Sequence, residues 1–325
     1  MEKWLKRQTY GVIAQLVAVE EEGNPDQIPT EISQVIEQYR DVFAEPKGMP
    51  PTRSHDHQIV LKEEAKPFQV RPYRCPYVQK TEIKKLVKEM LEIGIIQPSS
   101  SLFAFPVLLV KKKDGTWRFC MDYKQLNELT VKNKFPMPLI EELIDELHGA
   151  KYFTKIDLRA GYFQISVKME DIQKTAFRTH QGLYEFKVMP FDLTNAPATF
   201  QSLMNQVFQE QMRKHVLVFF DDILVYSPTM EMHVKNVTKV LNILRQHQLY
   251  AKMSKCTFAQ LQVEYLGHII SAEGVQADPM KVECMEKWPR PKNVKQLRGF
   301  LGLTGYYRRC VKGYAAIAKP LTNLF

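Results

Sequence analysis

The sequence predicts an α+β fold, on three observations. Short runs rich in β-branched and aromatic residues, such as Pro106 to Lys111 and Tyr152 to Leu158, read as strands. Longer stretches with apolar residues at helical spacing, such as Tyr77 to Ile93, read as amphipathic helices. With 325 residues, 45% of them hydrophobic, the chain can bury a real core, and at roughly 100–200 residues per domain it holds two or three subdomains.

Taken in order, residues 1–50 are irregular. An apolar stretch from Gly11 to Val19 is followed by Glu20, Glu21 and Glu22, and Ile32 to Phe43 reads as a short amphipathic helix. Gly48-Met49-Pro50-Pro51 reads as a linker, and an extended, Pro-interrupted segment runs on to Tyr77. In the helix from Tyr77 to Ile93, Ile83, Leu86, Val87, Met90 and Leu91 share a face, and Gly94 terminates it. Pro106 to Lys111 and Trp117 to Tyr123 form a hairpin through Lys113-Asp114-Gly115-Thr116. A helix from Leu139 to Leu147 ends at Gly149, and the strand from Tyr152 to Leu158 contains Asp157 near its end. Asn195-Ala196-Pro197 opens a long helix whose apolar face holds Phe200, Leu203, Met204, Val207 and Phe208. A further helix carries Val234, Val237, Leu241 and Leu244, and Val263 to Ile270 reads as a strand. From Asp278 onward the chain is mainly helical and is broken at Pro289-Arg290-Pro291.

The net charge of +9 suits a polyanionic partner such as nucleic acid. Five dispersed cysteines with no C-x-x-C pair argue against a zinc site or a disulfide framework, and for a reducing compartment. Met1 to Arg7 lacks a signal-peptide pattern. No apolar run approaches the ~20 residues of a membrane span, so no membrane partner is expected.

The chemistry lies in His215 to Ser227, where Asp221 and Asp222 interrupt an apolar run that reads as strand, turn, strand. A carboxylate near a hydrophobic core is costly unless a cation or strong donors compensate it. Asp also favours tight turns, so this run alone leaves metal binding and a plain turn open. Asp157 has the same character, close to the end of an apolar strand. On neighbouring strands, Asp157 and Asp221 can bridge two Mg²⁺ ions, which take oxygen ligands and share them with substrate phosphates. Two ions about 3.5–4 Å apart clamp the attacking and leaving oxygens of a phosphoryl displacement, which points to nucleotidyl transfer.

From about Arg53 to its end, the chain resembles the reverse transcriptase of gypsy-type LTR retrotransposons, the plant elements among them. The resemblance rests on Val110-Lys111-Lys112-Lys113-Asp114-Gly115-Thr116-Trp117-Arg118, Asp122-Tyr123-Lys124-Gln125-Leu126-Asn127 and Asp157-Leu158-Arg159-Ala160-Gly161-Tyr162. Leu193 to Gln201, Phe219-Phe220-Asp221-Asp222 and Tyr265-Leu266-Gly267-His268 complete the series in the family's order. It implies a right-hand polymerase fold of fingers, palm and thumb. Residues 1–52 would be an inter-domain extension and 53–93 a fingers-side segment with the first helix. Residues 94–273 would be fingers and palm, and 274–325 the thumb and the start of a connection before RNase H.

By the same resemblance, Asp157, Asp221 and Asp222 are the catalytic and metal-binding carboxylates, with two Mg²⁺ ions for which Mn²⁺ can substitute. Lys112, Arg118, Ala160, Gly161, Tyr162 and Phe191 bind the incoming nucleotide. Arg and Lys suit phosphate, and the Tyr162 ring leaves no room for a 2′-hydroxyl. Leu266, Gly267 and His268 grip the primer end. Arg298, Tyr306, Tyr307, Arg308, Arg309 and Lys312 form a basic and aromatic surface that either packs internally or tracks duplex phosphates. The implied partners are an RNA or DNA template, a primer and dNTPs, with RNase H and integrase as parts of the same polyprotein. The implied setting is intracellular, in cytoplasmic particles and the nucleus.

The chain departs from the family at Asp192, where the family has Gly, at Ala104-Phe105, at Phe163 and at Cys310. A Cβ and a charge at Asp192 are expected to obstruct the nucleotide. Two readings therefore stand: an RNA-directed DNA polymerase, or an impaired relic that folds and binds nucleic acid without polymerising. A metal-dependent nuclease fits the ordered motifs less well.

Overall fold

The computed structural model describes residues 28–46, 48–111, 115 and 117–324. The stretch from Gly11 to Val19 and the turn residues Lys113, Asp114 and Thr116 lie outside them.

The expected helix near the amino end is α1 (Thr30–Gln38), continued by a 3₁₀ turn at Arg40–Phe43. Ile32, Val35 and Val42 are buried in the main core, so this segment is part of the globule. The extended segment that follows makes only isolated bridges, such as His57 to Val167 and Gln69 to Ala104. Next comes α2 (Tyr77–Ile93), with Ile83, Val87 and Met90 buried. Gly94 takes the left-handed conformation at φ 84° and returns its N–H to Met90 and Leu91. Glycine accepts that conformation without a Cβ clash.

A five-stranded sheet combines β1 (Ile96–Pro98), β2 (Phe105–Lys111), β3 (Trp117–Met121), β5 (Phe177–Arg178) and β6 (Leu183–Phe186) in the order β1-β6-β5-β2-β3. The expected β2–β3 hairpin is present, but β3 ends at Met121. Tyr123 instead leads into α3 (Lys124–Leu129), a short helix the sequence pattern did not show. Its ring is buried against Phe105, at 5.0 Å between centroids. Phe105, one of the departures from the family, is thus a core residue. The helix expected over Leu139 to Leu147 is the shorter α4 (Ile140–Asp145).

The second sheet carries the acidic residues. It orders β7 (Val216–Phe219), β8 (Asp222–Ser227), β4 (Tyr152–Asp157) and β9 (Thr257–Gln260) as β7-β8-β4-β9, all antiparallel. Ile156, Val216, Val218, Ile223 and Val225 face the main core, while Phe153, Leu217, Leu224 and Tyr226 face a second one. Burial on both faces explains why these strands read as continuous apolar runs. Covering the first face are α5 (Ala196–Val207) and α6 (Met230–Gln246), where Val207, Val237, Val240, Leu241 and Leu244 join the main core.

The strand expected over Val263 to Ile270 is two strands, β10 (Gln262–Tyr265) and β11 (His268–Ser271). With β12 (Gly274–Ala277) they form a third, antiparallel sheet. The break comes at Leu266-Gly267, both left-handed with φ 49° and 72°. Such a pair makes the two-residue turn whose twist suits a hairpin. The carboxy-terminal region is helical as expected, with α7 (Pro279–Glu286), α8 (Val294–Tyr306) and α9 (Tyr314–Thr322).

Candidate active site

Asp157 ends β4 and Asp222 begins β8, directly opposite each other across the antiparallel pair. Residues so paired point to the same face of a sheet. Asp221 lies in the β7–β8 turn beside Phe220, which is left-handed at φ 52°. An aromatic residue there is strained by roughly 1–3 kcal/mol and needs support. The fully buried Gln201 of α5 supplies it. Its Oε1 accepts from the Phe220 N–H at 2.8 Å, and its Nε2 donates to the Val218 carbonyl at 3.2 Å. On the other side the Leu158 N–H donates to the Asp221 carbonyl at 3.3 Å.

Two lysines flank this acidic group. Lys255 Nζ lies 3.1 Å from both oxygens of Asp157, and Lys155 Nζ lies 3.3 Å from Asp222. Asp221 has no ion-pair partner among the described residues. Burial raises its carboxyl above the ordinary range, and the charges of Asp222 and Asp157 push the same way. An unpaired, partly buried carboxylate beside two others fits a divalent cation. Among the described residues no three His, Cys, Asp or Glu side chains are grouped so as to hold a metal ion by themselves.

Beside the carboxylates, Ala160 is left-handed at φ 45° and Gly161 opens a 3₁₀ turn. A Cβ on Gly161 would meet Phe200 Cζ at 3.0 Å and Asp221 Cβ at 3.4 Å, so only glycine fits without displacement. Tyr162 is wedged between Phe191 and Phe200, at 5.1 and 5.4 Å between ring centroids. Burial, with a smaller push from the charge of Asp221, raises its hydroxyl to about 12. Phe191 is 41% exposed and forms the outer edge of this aromatic shelf.

The Leu266-Gly267-His268 turn is tied to the same place. Tyr265, fully buried, donates its hydroxyl to the Asp222 carbonyl at 3.4 Å. A cavity of about 860 Å³ opens between α4, Phe219-Phe220, His268 and the Tyr306-Tyr307 pair.

Residues 110–270 match the family model described as reverse transcriptase (RNA-dependent DNA polymerase). The chain carries a reverse transcriptase domain. It is 39% identical over 285 residues to the retrovirus-related Pol polyprotein from transposon opus of Drosophila melanogaster, covering 85% of this chain and 28% of that protein. It is 35% identical over 297 residues to the transposon Tf2-3 polyprotein of Schizosaccharomyces pombe, covering 90% and 22%. The chain therefore spans about a quarter of the length of these relatives. Its fold matches the foamy viral protease-reverse transcriptase in complex with an RNA/DNA hybrid, with a TM-score of 0.78 and 22% identity over 93% of this chain and 41% of that one. Against the complex with dsDNA the TM-score is 0.81, again at 22% identity, over 93% and 63%. The reverse transcriptase domain thus has the right-hand polymerase fold.

The structure brings Asp157, Asp221, Asp222, Gly161, Tyr162 and Phe191 together, and ties Leu266, Gly267 and His268 to them through Tyr265. Arg118 is exposed on β3 opposite Val110 and has no carboxylate partner among the described residues. Lys112 lies outside the described residues. Asp192 sits at φ 73°, the left-handed conformation that explains the family's glycine. Its carbonyl accepts from Asn127 Nδ2 at 2.7 Å. Burial and the neighbouring Asp122 raise its carboxyl, while the Tyr123 N–H lowers it.

Gln201, which the sequence leaves open between core packing and substrate contact, is buried and supports the acidic turn, a role the sequence did not assign. The available signal was an amide on an apolar helical face, two residues before Leu203. The sequence also left Arg308 and Arg309 open as duplex contacts. Both are engaged internally, Arg308 with Glu141 at 2.7 Å and Arg309 with Asp145 at 2.7 Å. These pairs join the segment after α8 to α4.

Proposed function

We propose that this domain is an RNA-directed DNA polymerase that extends a primer with dNTPs on an RNA or DNA template by two-metal nucleotidyl transfer. The observation that carries the reading is the link between the acidic group and the β10–β11 turn. Through Tyr265, a turn suited to a primer end is fixed beside Asp222. Asp157 and Asp221 are the main ligands for two Mg²⁺ ions, which Mn²⁺ can replace, with Asp222 at the periphery. When bound, such ions activate a primer 3′-hydroxyl and neutralise the leaving pyrophosphate.

The chain's own residues do the positioning. Tyr162, braced by Phe191 and Phe200, forms a floor under the deoxyribose and excludes a 2′-hydroxyl. Ala160 and Gly161 let the backbone approach the triphosphate closely, and Arg118 and Lys112 hold its charge. Leu266, Gly267 and His268 set the primer end. Lys255 and Lys155 pair with Asp157 and Asp222 at the place a cation would take.

The same reading assigns residues 53–93 to a fingers-side segment, 94–273 to fingers and palm, and 274–325 to the thumb and the start of a connection. The relatives are Pol polyproteins, which supports further domains in the same product; RNase H and integrase as those domains, a gypsy-type element, and an intracellular site in particles and the nucleus follow from the resemblance alone. The intact carboxylates and their supports favour this reading over a non-polymerising relic. The test is extension of a DNA primer annealed to an RNA template in Mg²⁺, Mn²⁺ and EDTA. Metal-dependent extension is expected, and duplex binding without extension in either metal would support the relic.

A further inference from the structure

Leu266 and Gly267 are both left-handed, a conformation that leucine resists by roughly 1–2 kcal/mol. Two adjacent tyrosines from the end of α8 close on this turn. Tyr306 donates its hydroxyl to the Leu266 carbonyl at 2.7 Å, and Tyr307 donates to the Gly267 carbonyl at 3.1 Å. Their rings flank His268, with centroids at 5.4 and 5.3 Å. The fit at Gly267 is tight, since a Cβ there would come within 2.9 Å of the Tyr307 hydroxyl. Burial raises both phenols, so they remain protonated donors across the physiological range. The tyrosines are themselves anchored, because Arg308 and Arg309 bind Glu141 and Asp145 of α4. On the far side of the turn, Tyr265 reaches the Asp222 carbonyl. A continuous set of contacts therefore runs from the carboxy-terminal helices through the turn to the acidic group.

We propose that Tyr306 and Tyr307 are positioning residues, whose hydroxyls hold the Leu266-Gly267 turn and so set the primer end relative to Asp221 and Asp222. This rests on the reading of that turn as the primer-end site. The two hydroxyls act on protein carbonyls, so their loss affects the placement of the primer end and leaves the affinity for the duplex intact.

The test uses the whole chain with Tyr306→Phe, Tyr307→Phe, the double substitution and Gly267→Ala. Duplex affinity is read by fluorescence anisotropy on a recessed DNA primer, and single-turnover nucleotide addition is read on the same duplex. The double variant is expected to slow addition roughly 5- to 30-fold, as for two hydrogen bonds, with duplex affinity unchanged within about twofold. Gly267→Ala combined with Tyr307→Phe is expected to cost less than the two changes summed, because removing the hydroxyl makes room for the methyl. Wild-type addition by the double variant, with Gly267→Ala impaired, overturns the tyrosine assignment and leaves the primer-end reading standing. Wild-type addition by all variants, with Asp221→Asn inactive, overturns the primer-end reading itself. A parallel loss of duplex affinity and rate would make the tyrosines duplex contacts and also overturns the proposal. If the double variant fails to fold, Tyr306→Phe alone carries the same comparison.

Discussion

Lys255 closes on Asp157, its ammonium equidistant from both carboxylate oxygens at 3.1 Å. The lysine side chain is 55% exposed and the carboxylate only 16%. The pair is therefore cheap to open from the lysine side, since exposed partners contribute about 0–1 kcal/mol. A divalent cation at Asp157 has to displace this ammonium. Lys255→Gln is expected to tighten Mn²⁺ binding by up to roughly fivefold in a calorimetric titration. Unchanged or weaker binding would place the cation away from Asp157.

Asp192 holds a left-handed conformation that glycine adopts freely. Asp192→Gly is expected to stabilise the domain by about 0.5–1 kcal/mol in denaturant unfolding. It is also expected to raise kcat/KM for dNTP, by removing a carboxylate from the approach to the site. Asp192→Asn keeps the Cβ and removes the charge, so its position between the two isolates the electrostatic part. Equal activity of all three proteins would show that this carboxylate does not face the nucleotide.

Tyr162 is held on both sides by aromatic rings, so its position depends on packing more than on its hydroxyl. Tyr162→Phe is expected to keep sugar selectivity, whereas Tyr162→Ala opens the floor. The ratio of dNTP to rNTP incorporation by the alanine variant should fall by up to about 10²-fold. An unchanged ratio would remove Tyr162 from sugar selection.

His57 and His233 are buried and neutral, both lowered to about 4, chiefly by desolvation. His233 bonds Thr154 at 2.7 Å and Ser227 at 3.1 Å, joining α6 to the catalytic sheet. Their folded values lie below the ordinary 6.5, so the unfolded chain binds more protons between pH 6.5 and 4. Their contribution to stability is complete above about pH 6.5 and is lost as pH falls towards 4. By pH 5 each is expected to cost roughly 2 kcal/mol of unfolding free energy. Unfolding at pH 7.5 and 5 measures this, and His233→Phe should reduce the difference.

Elements with strong local signals were legible in the sequence. The helix from Tyr77 to Ile93 was bounded by its own glycine cap, and the acidic hairpin by a carboxylate pair inside an apolar run. The short strands β1, β5 and β6 were not, because two to four residues carry no measurable period, and the pairings of β1 with β6 and of β5 with β2 join residues far apart in the chain. The residue pattern did not show the turn at Leu266, because leucine gives no turn signal and the hydroxyls that bond the turn's carbonyls come from Tyr306 and Tyr307, 40 residues away. The carboxylates were legible from the energetic oddity of Asp221 and Asp222. Their supports, Gln201 and Tyr265, were not, because in a sequence they look like ordinary core positions.

The most direct test of the central claim is single-turnover addition of one deoxynucleotide to a DNA primer on an RNA template in Mg²⁺, comparing wild type with Asp221→Asn at equal duplex occupancy. The account predicts addition by the wild type and a loss of at least about 10³-fold in the variant, with duplex affinity preserved. Equal rates in the two proteins, or no addition by the wild type in either Mg²⁺ or Mn²⁺, would contradict it.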